Sequence, residues 1–68
     1  MAESLPESPA KRFSRLFRKA GVLLAKEQFA QALVVLREGE AFAVAMDDKE
    51  KLALFRDEIA QCEKRLRE

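Results

Sequence analysis

Few residues in this chain could do chemistry. Two acid pairs, Glu38 with Glu40 and Asp57 with Glu58, lie close enough in sequence to suggest acid–base work. Cys62 is the single thiol, and Ser4, Ser8 and Ser14 are the only serines. None of these completes a catalytic set. The chain has no His, so Cys62 lacks the usual base and the common zinc ligand sets cannot form. One cysteine allows no intrachain disulfide, and at an apolar helical position it reads as a small core residue. Neighbouring acids on a surface helix read as solvated charge. No glycine-rich phosphate loop or nucleophile elbow is present. Catalysis, a metal, a cofactor and a small-molecule substrate are therefore not expected.

What remains is the scaffold. Sixty-eight residues allow one domain, near the lower limit for an independent core. Such a chain needs tightly packed helices or a partner. Thirteen basic and twelve acidic residues give a net charge of +1, which argues against a domain directed strongly at nucleic acid. No apolar run approaches the ~18 residues that would span a bilayer. The start, MAESLPESPA, lacks the order of a secretory signal, so a cytoplasmic protein is expected.

Residues 1–8 read as a disordered leader. Ser8-Pro9 is a helix start: serine caps, and proline at the first helical position lacks only an N–H that would be unpaired anyway. Helix 1 is predicted over about 9–25, with Phe13, Leu16, Phe17, Ala20 and Leu24 on one face at spacings of three and four. Lys11, Arg12, Arg15, Arg18, Lys19 and Lys26 occupy the other side, with no acid between Ser8 and Lys26. A single rod continuing into helix 2 would leave its apolar residues poorly covered, so a turn is placed at 26–28 from register alone.

Helix 2 is predicted over about 28–46. Phe29, Ala32, Leu33, Leu36 and Ala43 form one apolar face, and Val35, Phe42 and Met46 a second. A helix apolar on two sides is sandwiched between neighbours. Gly39, which weakens a helix, is explained by close approach of another backbone. Asp47 with Glu50 three residues on fits a capping box, and either Asp47 or Asp48 suits the positive end of a helix. Helix 3 follows over about 48–67, with a seam of Leu52, Phe55, Ile59, Cys62 and Leu66. Short turns force antiparallel neighbours. The expected fold is all-α, an up-down-up antiparallel three-helix array, whose core also takes in Phe13, Leu16, Phe17, Ala20, Leu24, Phe29, Ala32, Leu33, Leu36, Phe42 and Ala43. Val22, Val34, Val44 and Leu54 are left off the inner faces, and would form a contact patch if they adjoin.

The run Leu16, Ala20, Leu23, then Phe29-Ala30-Gln31-Ala32-Leu33, Leu36 and Gly39 resembles a tetratricopeptide-type helical hairpin, with the third helix in the place of a capping helix. Lys19 stands where that family is usually apolar, the turn lacks its common glycine, and no proline follows helix 2. Over its full length the chain also resembles microtubule-interacting-and-trafficking (MIT) domains, three-helix bundles whose last helix often ends like Cys62-Glu63-Lys64-Arg65-Leu66. A looser likeness is to the small helical chaperones of bacterial secretion systems. These resemblances imply a non-catalytic module, an adaptor or small chaperone, that binds a helical segment of a partner.

The expected function is accordingly protein–protein interaction: a partner helix, or a second copy of the chain as a homo-oligomer, laid in an apolar groove. The partner-binding residues read from the pattern are Leu23, Val34, Phe42 and Leu54, with Arg15, Arg18 and Lys19 for acidic groups. The alternative is that the basic first helix binds nucleic acid or an anionic membrane surface.

Overall fold

A computed structural model describes residues 7–68. Three helices follow in order, α1 (Pro9–Ala25), α2 (Phe29–Met46) and α3 (Lys49–Arg67). Most of the leader expected over 1–8, residues 1–6, lies outside the described residues. Its last member, Ser8, caps α1: its Oγ accepts from the Lys11 N–H at 3.2 Å, with Pro9 opening the helix.

Both turns use the same device. Glu27 and Asp47 each adopt the left-handed conformation, at φ 59° and φ 55°. After α1, Gln28 N–H donates to the Leu23 carbonyl at 2.9 Å and Glu27 N–H to Leu24 at 3.0 Å; after α2, Asp48 N–H donates to Ala43 at 2.9 Å and Asp47 N–H to Val44 at 3.1 Å. These are Schellman closures, which satisfy the last carbonyls of a helix and reverse the chain within three residues. Glycine usually fills that position; here a charged residue does. The capping box expected from Asp47 is corrected accordingly. Asp47 ends α2, and Asp48 caps α3, its carboxylate accepting from the Lys51 N–H at 3.1 Å.

α2 is the middle element. It packs on α1 and on α3, while no Cα of α1 comes within 8 Å of a Cα of α3. The array is thus open, with α1 and α3 running parallel on either side of one helix. Its core is Phe13, Leu16 and Ala20 from α1, Ala32, Val35, Leu36 and Ala43 from α2, and Phe55, Ile59 and Cys62 from α3. Phe17, Leu24, Phe29, Leu33 and Phe42 pack around it, partly buried.

Two expectations about the core are revised. Leu66 is 49% exposed, because the end of α3 runs past the start of α2 and finds nothing to pack on. Gly39 does make room, but for a side chain rather than a backbone: a methyl there would overlap the ring of Phe55. That ring is fully buried, stacked on Phe17 at a centroid distance of 4.3 Å and tilted against Phe13 at 5.9 Å. Aromatic rings thus span the distance between α1 and α3 that the backbones leave open.

Candidate groove between the outer helices

The aromatic bridge covers only the N-terminal halves of α1 and α3. Beyond it the space between the two helices opens into a cavity of about 130 Å³, lined by Phe17, Ala20, Gly21 and Leu24 of α1, Leu36 of α2 and Glu58 of α3. A larger cavity of about 290 Å³ continues it, lined by Leu24, Ala25, Glu27 and Phe29 on one side and Glu58, Gln61, Cys62 and Arg65 on the other. Leu24 and Glu58 border both, so the two form one depression along the array.

Helical spacing explains the walls. Phe17, Gly21 and Leu24 recur at four and three along α1; Glu58, Gln61 and Arg65 recur at three and four along α3. The α1 wall is cut low by Gly21, where an added methyl would meet nothing within 4 Å. At the open end the guanidinium of Arg65 lies 4.8 Å from the centroid of the Phe29 ring. Such a contact holds the cation at the rim and covers part of an aromatic face. Cys62 forms part of the floor at 1% exposure. Burial raises its thiol pKa, and the charges of Glu58 and Glu63 raise it further, so it stays protonated at neutral pH and acts as an apolar residue.

Charge is segregated by helix. Residues 9–26 carry six basic side chains and no acid. Two of the six are engaged: Arg12 lies 3.8 Å from Glu38, and Arg15 makes a two-pronged bond to Glu7, at 2.8 and 3.1 Å. Lys11, Arg18, Lys19 and Lys26 form no ion pair among the described residues. Lys11, Ser14, Arg15 and Arg18 line a shallow basic depression on the outer side of α1, and the Glu7 carboxylate sits in it. The hydrogen bond from Arg15 lowers the Glu7 pKa, helped by the charges of Arg15, Arg12 and Lys11.

The residues named from sequence for partner binding are spread over several surfaces. Leu54, 53% exposed, lies one turn before Glu58 beside the Phe55 plug, and it lines neither cavity of the groove. Arg18 stands one turn before Gly21 on the α1 rim, and Lys19 is exposed farther round that helix. Arg15 holds Glu7. Leu23 is half-buried, two residues from Gly21 and hence on the opposite side of α1 from the groove. Phe42 is half-buried, 4.9 Å from the Phe13 ring, with the Arg12 guanidinium 4.3 Å above it. Val34 is 68% exposed on the back of α2, away from both outer helices. The groove residues that the pattern did not single out are Gly21, Leu24, Glu58, Gln61 and Arg65. Their signal was present as the three-and-four spacing just described, but only once α1 and α3 are known to stand apart does it mark a cleft.

The acid pairs do not converge on a shared site. Glu38 turns toward Arg12 of α1, whereas Glu40 turns toward Arg56 of α3, 3.0 Å away. Asp57 accepts from the Gln61 amide at 3.2 Å, and Glu58 borders the groove. Among the described residues no three His, Cys, Asp or Glu side chains cluster as metal ligands, and no helix is long and apolar enough to cross a membrane.

Set against known proteins, the chain matches no family model, no curated protein and no solved structure. The likeness to tetratricopeptide hairpins and MIT domains therefore rests on residue pattern alone, and a three-helix arrangement is common to many families.

Proposed function

We propose that this chain is a non-catalytic interaction module, an adaptor or small chaperone, that takes one amphipathic helix of another protein in the groove between α1 and α3. The observation that carries this reading is the separation of α1 from α3, which leaves Leu24, Phe17 and Gly21 bordering an open cleft. An apolar helix face set on these residues removes apolar area from water at roughly 25 cal/mol per Å². The partner's outer side would be acidic, because the α1 rim offers Arg18 and the other unengaged basic side chains. Opposite charge along a rim raises the association rate and fixes orientation more than it adds affinity. Such helix-in-groove recognition needs no catalytic residue.

A fluorescent amphipathic peptide, leucine on one face and glutamate on the other, tests this. Anisotropy should show saturable binding to the wild-type chain and a loss of at least ~10-fold for Gly21→Leu. Gly21→Leu fills the cleft where the wall is open and should leave the helical circular dichroism unchanged. Equal affinity for both proteins would reject the groove.

A second reading comes from the five basic residues of α1, with Lys26 just beyond its end. They could meet the phosphates of nucleic acid or of an anionic membrane. Phe13 and Leu16 are buried in the core, so the apolar side of α1 is committed and this reading rests on charge alone. Its mark is binding that falls steeply with salt and ignores Gly21→Leu.

A further inference from the structure

The groove between α1 and α3 holds two carboxylates without ionic partners. Glu58 stands three residues after Phe55 and four before Cys62, so it belongs to the inward row of α3. It is half-buried there and borders both cavities of the groove. Its carboxylate makes no ion pair and no side-chain hydrogen bond among the described residues. A half-buried charge with no partner costs stability, and an apolar side chain at this position would close the cleft against Leu24. The second carboxylate, Glu27, borders the larger cavity from the turn between α1 and α2. The Schellman closure holds its backbone at φ 59°, and it too has no ion pair among the described residues.

Among the residues lining that cavity only Arg65 is cationic, and it is engaged elsewhere. Its guanidinium lies 4.8 Å from the Phe29 ring centroid, and its Nε 3.6 Å from the Glu68 carboxylate. The rest of the lining is largely apolar, from Leu24, Ala25, Phe29 and Cys62. Apolar walls with two anionic groups suit a side chain that has a hydrocarbon stem and a cationic tip. The smaller cavity differs: Glu58 is the only charged residue that lines it, beside Phe17, Leu24 and Leu36.

Resting on the groove reading above, we infer that the partner helix carries one lysine or arginine on its otherwise apolar face. This side chain enters the larger cavity and pairs with Glu58 and Glu27. A neighbouring apolar residue, about one turn away, enters the smaller cavity. The partner's acids stay on its outer side, toward Arg18.

Two peptide series built on the leucine–glutamate helix test this. In one, each leucine in turn is replaced by lysine. In the other it is replaced by norleucine, which keeps the stem and removes the charge. Anisotropy titrations of the wild-type chain should find one position where lysine binds about 5-fold tighter than norleucine, with norleucine favoured elsewhere. That preference should shrink as salt rises. Glu58→Gln should erase most of it and Glu27→Gln part of it, with affinity for the norleucine peptides unchanged. Glu58→Arg should reverse it, so that a glutamate at the same position outbinds lysine. Circular dichroism checks that each variant is folded, and Glu27→Gln, in the turn, carries the test if a change at Glu58 disturbs α3. Norleucine favoured at every position overturns the inference, yet leaves the groove standing if the parent peptide binds and Gly21→Leu weakens it. Failure of every peptide to bind removes the groove and the cation together. A lysine preference that survives Glu58→Gln combined with Glu27→Gln also overturns the inference, because the cation would then sit elsewhere.

Discussion

The two ends of the space between α1 and α3 are built from the same parallel pair of helices, yet they do different work. At the N-terminal end Phe13, Phe17 and Phe55 fill it ring against ring, over a glycine that leaves room for them. At the C-terminal end a second glycine, Gly21, faces a cleft that nothing fills. One end holds the outer helices in place, and the other is the cleft that the proposed partner helix would occupy. In so small a chain both cannot be maximised. Apolar area left in the cleft is absent from a core already near the limit of self-sufficiency.

The largest expected effect comes from removing the plug. Phe55→Ala deletes a fully buried ring, at a cost of about 3–5 kcal/mol. That is comparable to the whole stability of a domain this size. Thermal melting followed at 222 nm should show a broad, weakly cooperative transition; a sharp transition near the wild-type midpoint would break the comparison. At the open end, Arg65→Ala removes a cation from the Phe29 ring and should cost about 0.5–1 kcal/mol, lowering the melting midpoint by ~2–8 °C. A drop as large as that of Phe55→Ala would mean that the open end is structural too.

The smallest effect concerns Glu7, on the outer side of α1. Its folded-state pKa lies below the ordinary 4.5 because Arg15 bonds the carboxylate. The contribution is therefore fully present above the unfolded value and fades as pH falls through the lower, folded one. Melting midpoints taken between pH 6 and pH 2 should fall slightly less steeply on the acid side for Glu7→Gln than for wild type. Indistinguishable slopes would mean that this exposed pair adds nothing to stability.

Much of this architecture is legible in the sequence. Ser8-Pro9 and the three-and-four spacing of Phe13, Leu16, Phe17 and Ala20 lead directly to the helices, and apolar faces on two sides of α2 place it in the middle, whereas the cap of α3 falls on Asp48 and not on the Asp47 of the capping-box pattern. The turns are harder to read because Glu27 and Asp47 take a conformation that glycine usually signals. Leu66 keeps the seam of α3 in sequence, but seam periodicity does not say where the neighbouring helix begins. The candidate groove is the least legible part. Gly21 and Gly39 look alike in the chain, and only the stacking of Phe55 on Phe17 separates a glycine that admits a ring from one that borders open space.

Those two glycines also give the most direct test of the account. Alanine gains about 1 kcal/mol over glycine inside a helix. Gly21→Ala should realise that gain and raise the melting midpoint, since its methyl meets nothing. Gly39→Ala should lower the midpoint, because its methyl collides with a ring that is itself stacked, and overpacking of that kind typically costs about 1–3 kcal/mol. Opposite shifts, measured side by side, are the predicted result. Stabilisation by both substitutions would contradict the account, because the Phe55 ring would not then bridge α1 and α3 over Gly39.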